Sequence, residues 1–112
     1  MIENISLFSG LSDEALAEIE KHGSIKTYRK NTIVINQDDE TDSLYVILSG
    51  SVKVFISGED GREAVLSHQG PGEYFGEMAL IDRQPRAASV MTLEPSRFMI
   101  ISRGDFMHCL SS

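Results

Sequence analysis

The sequence predicts a mainly-β domain, a jelly roll or barrel with short α-helices at its two ends. Three observations carry that expectation. From residue 24 to about residue 102 the apolar residues recur with a period of two. Turn-forming residues interrupt the alternation at short intervals, as in roll and barrel folds rather than βαβ folds. Helix-capping signals stand before and after that stretch, at Ser12 and at Ser102 with Asp105.

Residues 1–23 read as N-terminal helices. Ser12 stands as an N-cap, Asp13 and Glu14 place negative charge in the first turn, and Lys21 and His22 sit in the last turn. The helix dipole favours each of these charges where it stands. Leu11 and Leu16 have the spacing of a hydrophobic staple, and Gly23 supplies a stop. Ile2, Ile5 and Phe8 suit a shorter helix on the same core.

Strands follow. Ile33 and Ile35 alternate with Thr32, Val34 and Asn36; Leu44, Val46 and Leu48 with Tyr45 and Ile47; Val52, Val54 and Ile56 with Lys53, Phe55 and Ser57. Val65, Val90 and the run Phe98–Ile101 mark further strands. Lys30-Asn31, the acidic stretch Gln37–Asp42, Ser49-Gly50, Gly58–Gly61, Gly70–Gly72 and Glu94-Pro95 separate them. Ser102 and Asp105 then have capping-box spacing and open a helix over residues 103–112.

Composition narrows the function. The chain has 112 residues, enough for one domain, and a formal net charge of −7, the wrong sign for covering nucleic-acid phosphates or an anionic membrane. A hydrophobic content of 41% supports a packed core. Cys109 is the single cysteine, so an internal disulfide or a thiolate metal site is excluded and a reducing, cytoplasmic setting is the simpler expectation. His22, His68 and His108 form no His-x-His pair, so no metal is expected. The first residues lack a secretory pattern, and no apolar run approaches the roughly 20 residues that span a bilayer.

Candidate chemistry lies in GPGEYFGEMALIDRQPRAASV, residues 70–90. Glycines at 70, 72 and 76 permit close backbone approach to a ligand. Glu77–Ile81 suits one short helical turn, whose free N–H groups favour an anion. Arg86 offers a planar fork for phosphate, and Glu77 an acceptor for hydroxyls. Together these would hold a sugar phosphate. The plainer alternative is a structural Glu77–Arg86 ion pair.

This segment resembles the phosphate-binding cassette of cyclic nucleotide-binding domains, found in catabolite activator-type bacterial regulators and in regulatory subunits of cAMP-dependent kinase. LFSGLSDEALAEI, DSLYVILSGSVKVF and RFMIISRGDFMHCL extend the resemblance over most of the chain. The specific part is FGE with Arg-Ala-Ala-Ser-Val beginning nine residues after its Glu. The resemblance implies a double-stranded β-helix in which Glu77 accepts from the ribose 2′-hydroxyl and Arg86 pairs with the exocyclic phosphate oxygens. It implies that Gly76, Met78 and Ala79 supply groups around ribose and phosphate, that Ala87 and Ala88 line the phosphate side, and that Val65 and Leu66 lie beneath the base. Ala87 stands where cGMP-preferring members often carry Thr, so cAMP is expected over cGMP. On this reading, replacing Arg86 removes binding and barely changes the stability of the free domain.

Two departures from the family pattern concern turns, where Asn31 and Asp38 replace customary glycines; both residue types tolerate left-handed backbone. The expected role is a non-catalytic cAMP sensor of a bacterial transcription regulator, with the DNA-binding part outside this chain and no nucleic-acid contact by the domain itself. A C-terminal helix beyond these residues would cap the base and form a homodimer. Two other classes stay open: a regulatory module of a kinase, channel or transporter, and a ligand-free scaffold for protein contacts.

Overall fold

A computed structural model describes residues 2–80 and 82–111. Eight strands form two four-stranded antiparallel sheets. The strands are β1 (Ser24–Tyr28), β2 (Ile33–Ile35), β3 (Leu44–Ser49), β4 (Val52–Ser57), β5 (Glu63–Gln69), β6 (Tyr74–Phe75), β7 (Ser89–Thr92) and β8 (Ser96–Ile101). The first sheet has the order β1-β8-β3-β6 and the second β2-β7-β4-β5. Helix α1 (Asp13–His22) precedes the strands and α2 (Arg103–Ser111) follows them. The expected jelly roll with flanking helices is the architecture observed.

The central strands of the first sheet, β3 and β8, are buried on both faces, and their residues show why. Along β3, Leu44, Val46 and Leu48 face α1, α2 and the N-terminal segment, while Tyr45 and Ile47 face the second sheet. Along β8, Met99 and Ile101 face the helices, and Phe98 and Ile100 the second sheet. A strand covered on both sides reads as a continuous apolar run, as these two do. Two cores result. Ile2, Ile5, Phe8, Ile19, Phe106 and Cys109 close one under the helices, where the Phe8 and Phe106 ring centroids lie 5.9 Å apart. Ile35, Val52, Phe75 and Val90 join Ile47 and Phe98 in the other.

Helix signals are used as expected, with two adjustments. Ala15 N donates to Ser12 Oγ at 3.1 Å and Asp105 N to Ser102 Oγ at 3.1 Å, so both caps form. Ile2, Ile5 and Phe8 are buried, but they bracket a single 3₁₀ turn, Ser6–Phe8, rather than a helix. Gly23 ends α1 with φ −73°, so it is not a left-handed cap. A β-carbon there would stand 3.0 Å from the Met99 side chain, and close packing against β8 is what requires glycine.

Asn31 and Asp38 adopt φ of 62° and 74°, the left-handed turns expected where glycine is customary. Strands β1 and β6 are the elements that no apolar alternation marks. β1 is almost wholly exposed at the edge of its sheet, and β6 is two residues long.

Candidate functional site

The segment after β5 is laid down by turns. Glu73 N donates to Gly70 O at 3.1 Å, and Gly72 N donates to Ile47 O at 3.0 Å, which aims β6 along β3. Gly72 takes φ +87° in open space, so Gly70 and Gly72 shape this turn. Of the three glycines, Gly76 alone borders the cleft described below. It has φ +86°, and a β-carbon would stand 2.7 Å from Ser43 O and 2.8 Å from Arg86 Nη1. Its bareness therefore makes room for Arg86 itself. Glu77–Leu80 then form the short helical turn, as 3₁₀. Ile81, the last residue expected in it, lies outside the described residues.

Arg86 is held in a seat. Its backbone joins the acidic loop: Asp38 N donates to Arg86 O at 2.7 Å, and Arg86 N donates to Asp39 O at 2.8 Å. The residue is 6% exposed. Nε donates to Thr41 Oγ1 at 3.1 Å, Nη1 to Gly76 O at 3.1 Å and Nη2 to Ser43 O at 2.7 Å. A guanidinium has five N–H donors, so these three bonds leave one on each terminal nitrogen. Burial lowers its pKa from the usual arginine value, opposed by Tyr45, Asp42, Asp39 and Glu77. The cation is kept charged by surrounding anions and dipoles.

Glu77 is half-buried and, among the described residues, its carboxylate makes no hydrogen bond or ion pair. The structural ion pair with Arg86 is thus not what the structure holds. Tyr45 stacks on Phe75 with centroids 5.0 Å apart, and burial, followed by its neighbour Tyr28, raises its pKa.

A cleft of about 290 Å³ brings these groups together. Gly76, Glu77, Met78, Ala79, Arg86, Ala87 and Ala88 all line it, as expected for a binding site built on this segment. Ile35, Val54, Phe75 and Val90 form its apolar wall. Val65 and Leu66 do not line it; they are 50% and 59% exposed. The reason is a register shift between β4 and β5, in which Val54 pairs with Ser67 and Phe55 with Val65, leaving Leu66 without an opposite residue. Val65 thereby shares the outer face of Phe55, whose ring lies beneath Lys53. Ser67 and Gln69 line the cleft in their place. Sequence reasoning also missed Thr41 and Ser43 as the seat of Arg86. Among the described residues no group of three or more His, Cys, Asp or Glu is placed to hold a metal ion.

Residues 25–112 match the cyclic nucleotide-binding domain family. The chain belongs to that family. It is 33% identical over 101 residues to the cyclic AMP receptor protein of Thermus thermophilus, covering 90% of this chain and 47% of that protein. It is 43% identical over 65 residues to the cAMP-dependent protein kinase type II regulatory subunit of Drosophila melanogaster, covering 58% of this chain and 17% of the other. The N-terminal domain of a transcriptional regulator from Streptomyces coelicolor superposes with a TM-score of 0.89 at 32% identity, over 99% of this chain and 80% of that one. The chain spans about half the length of the bacterial relatives that it matches. For this cyclic nucleotide-binding domain, the cleft between the 3₁₀ turn and Arg86 is the candidate ligand site. No helix among the described residues is long and apolar enough to cross a membrane.

Proposed function

We propose that this domain is a non-catalytic sensor that binds cAMP in the Arg86 cleft and reports occupancy through α2. The observation that carries the reading is the pairing of two uncommitted groups in one cleft. Arg86 keeps one N–H on each terminal nitrogen while its seat fixes the plane of the fork, and among the described residues the Glu77 carboxylate makes no hydrogen bond or ion pair. A cyclic phosphodiester can take the two N–H donors side by side. The ribose hydroxyl can donate to Glu77. Gly76, Met78 and Ala79 line the space around sugar and phosphate, and Ala87 and Ala88 the phosphate side.

Ala87 has no hydroxyl to offer a guanine amine, which favours cAMP over cGMP. Transmission is supported by a direct tie: Arg103 Nε, in the first residue of α2, donates to Leu80 O at 3.3 Å, the last residue of the 3₁₀ turn. A ligand that pulls on this turn acts on the start of α2. Binding then shifts the population of α2 positions only as far as the ligand prefers one of them.

The single cysteine fits a reducing, cytoplasmic compartment. The Streptomyces relative, the N-terminal domain of a transcriptional regulator, favours the sensor part of a bacterial transcription regulator. The Drosophila relative supports a second reading, a regulatory module of a kinase. Titration calorimetry with cAMP and cGMP tests the shared claim. Saturable heat from cAMP, with weaker binding of cGMP, is expected; no heat from either at millimolar concentration overturns it and leaves the scaffold reading.

A further inference from the structure

The wall of the cleft carries one feature that neither the fold nor the phosphate seat explains. Gln69 Oε1 is buried without a hydrogen-bond partner, the one such side-chain atom among the described residues. A buried carbonyl oxygen left unpaired is costly, and such atoms in a folded protein call for an explanation. Packing does not supply one. Gln69 stands opposite Val52, which is fully buried, at a strand position where an apolar residue would fill the same space. Neighbouring polar groups do not supply one either. Glu73 Oε1 already accepts from Gly70 N at 3.0 Å, and Lys53, opposite His68, is paired with Glu63 Oε2 at 2.9 Å on the outer face.

We infer that Gln69 is a ligand-contacting residue, its Oε1 accepting a hydrogen bond from an N–H or O–H donor of the bound nucleotide. This rests on the reading of the cleft as a cyclic-nucleotide site. Gln69 lines that cleft together with Ser67, Val54, Phe75 and Val90. A cyclic phosphodiester has no proton to give. The one free ribose hydroxyl is assigned to Glu77, so the donor is the exocyclic amine of the base, and a ligand lacking that amine leaves the oxygen orphaned as it is in the free domain.

The test compares wild type with Gln69→Met, of similar length and without polar hydrogen-bonding atoms, and with Gln69→Leu as a second apolar variant. Affinity is measured by calorimetry for cAMP, 2′-deoxy-cAMP and purine riboside 3′,5′-cyclic monophosphate, which lacks the 6-amino group. Gln69→Met should bind cAMP about 3- to 10-fold more weakly. Its ligand-free thermal midpoint should be unchanged or higher, because an orphaned oxygen has been removed. Purine riboside 3′,5′-cyclic monophosphate, which lacks the amine, should bind wild type and variant alike, whereas 2′-deoxy-cAMP should keep the difference between them. Equal cAMP affinity in wild type and both variants overturns the role of Gln69 alone. So does a penalty that is the same in wild type and variant for both analogues. A wild-type domain that binds none of the three overturns the site itself.

Discussion

At the scale of single residues, Arg86 is asked to do two things at once. It lines the cleft with one N–H left on each terminal nitrogen, and it ties residues 76, 41 and 43 together from inside. The expectation that the free domain would barely notice its loss is therefore corrected. Arg86→Leu leaves the Ser43 carbonyl without its side-chain donor and Gly76 O with the bond from Ala79 N alone, at a cost of about 1–3 kcal/mol. The thermal midpoint of the free domain should fall by several degrees. cAMP affinity should fall roughly 30- to 1,000-fold, since one charge-assisted partner of a phosphate is worth about 2–4 kcal/mol. Arg86→Lys keeps the charge but not the fork, and should lie between the two in both measurements. Differential scanning calorimetry and ligand titration on the same samples check this; a variant that loses binding at an unchanged midpoint would show that the seat is not structural. The motif showed Arg86 and Glu77 as a pair. It could not show the seat, because Thr41 and Ser43 are ordinary turn residues whose significance depends on a contact across more than forty positions of chain.

At the scale of elements, legibility followed burial. The strands β3, β4 and β8 were plain in the sequence because their apolar residues fill a core on one or both faces. β1 was not, because Ile25 is exposed and the strand gains its place by pairing with β8 rather than by burying side chains. The register shift at Leu66 was equally hidden, since one skipped residue changes which side chains face the cleft without changing the composition of the strand. Helix caps are the opposite case: they are local, and both were readable. Ser102→Ala should remove the bond from Asp105 N and cost about 1 kcal/mol. Hydrogen exchange should quicken in the first turn of α2 and stay unchanged in β4 and β7. Arg103, which reaches Leu80 from that first turn, makes the same variant informative about signalling. A looser α2 with unaltered cAMP affinity would mean that the cap and the cleft are independent.

At the scale of the whole molecule, the acidic balance and the buried groups act in different directions. A net charge of −7 opposes an anionic ligand at a distance, so recognition is left to the few groups around Arg86. Stability has its own pH dependence. Burial raises the pKa of the Cys109 thiol, with Glu18 and Asp105 adding to the rise, and burial also raises that of Tyr45. Each group thus binds its proton more tightly when folded than when unfolded. The stability that this contributes is complete below the unfolded values and is lost as the pH rises through the folded ones. Midpoints measured from about pH 7 to pH 10.5 should be level at first and decline above roughly pH 8.5, where an unfolded cysteine begins to ionise. Cys109→Ala should show a shallower decline; an equal slope would place the alkaline loss elsewhere.

The strand order sets a schedule for synthesis. β1 has only β8 as a neighbour, β2 has only β7, and β8 itself lies between β1 and β3. The first two strands made must wait for the last two, so the first sheet cannot be completed while residues near Ile101 are still inside the ribosome, nor the second while Thr92 is. Long-range pairing of this kind is slow, with folding on the order of milliseconds to seconds. At about 5–20 residues per second of translation, the early strands spend seconds without their partners. For a nascent chain of this domain, timing rather than final stability is the vulnerable step.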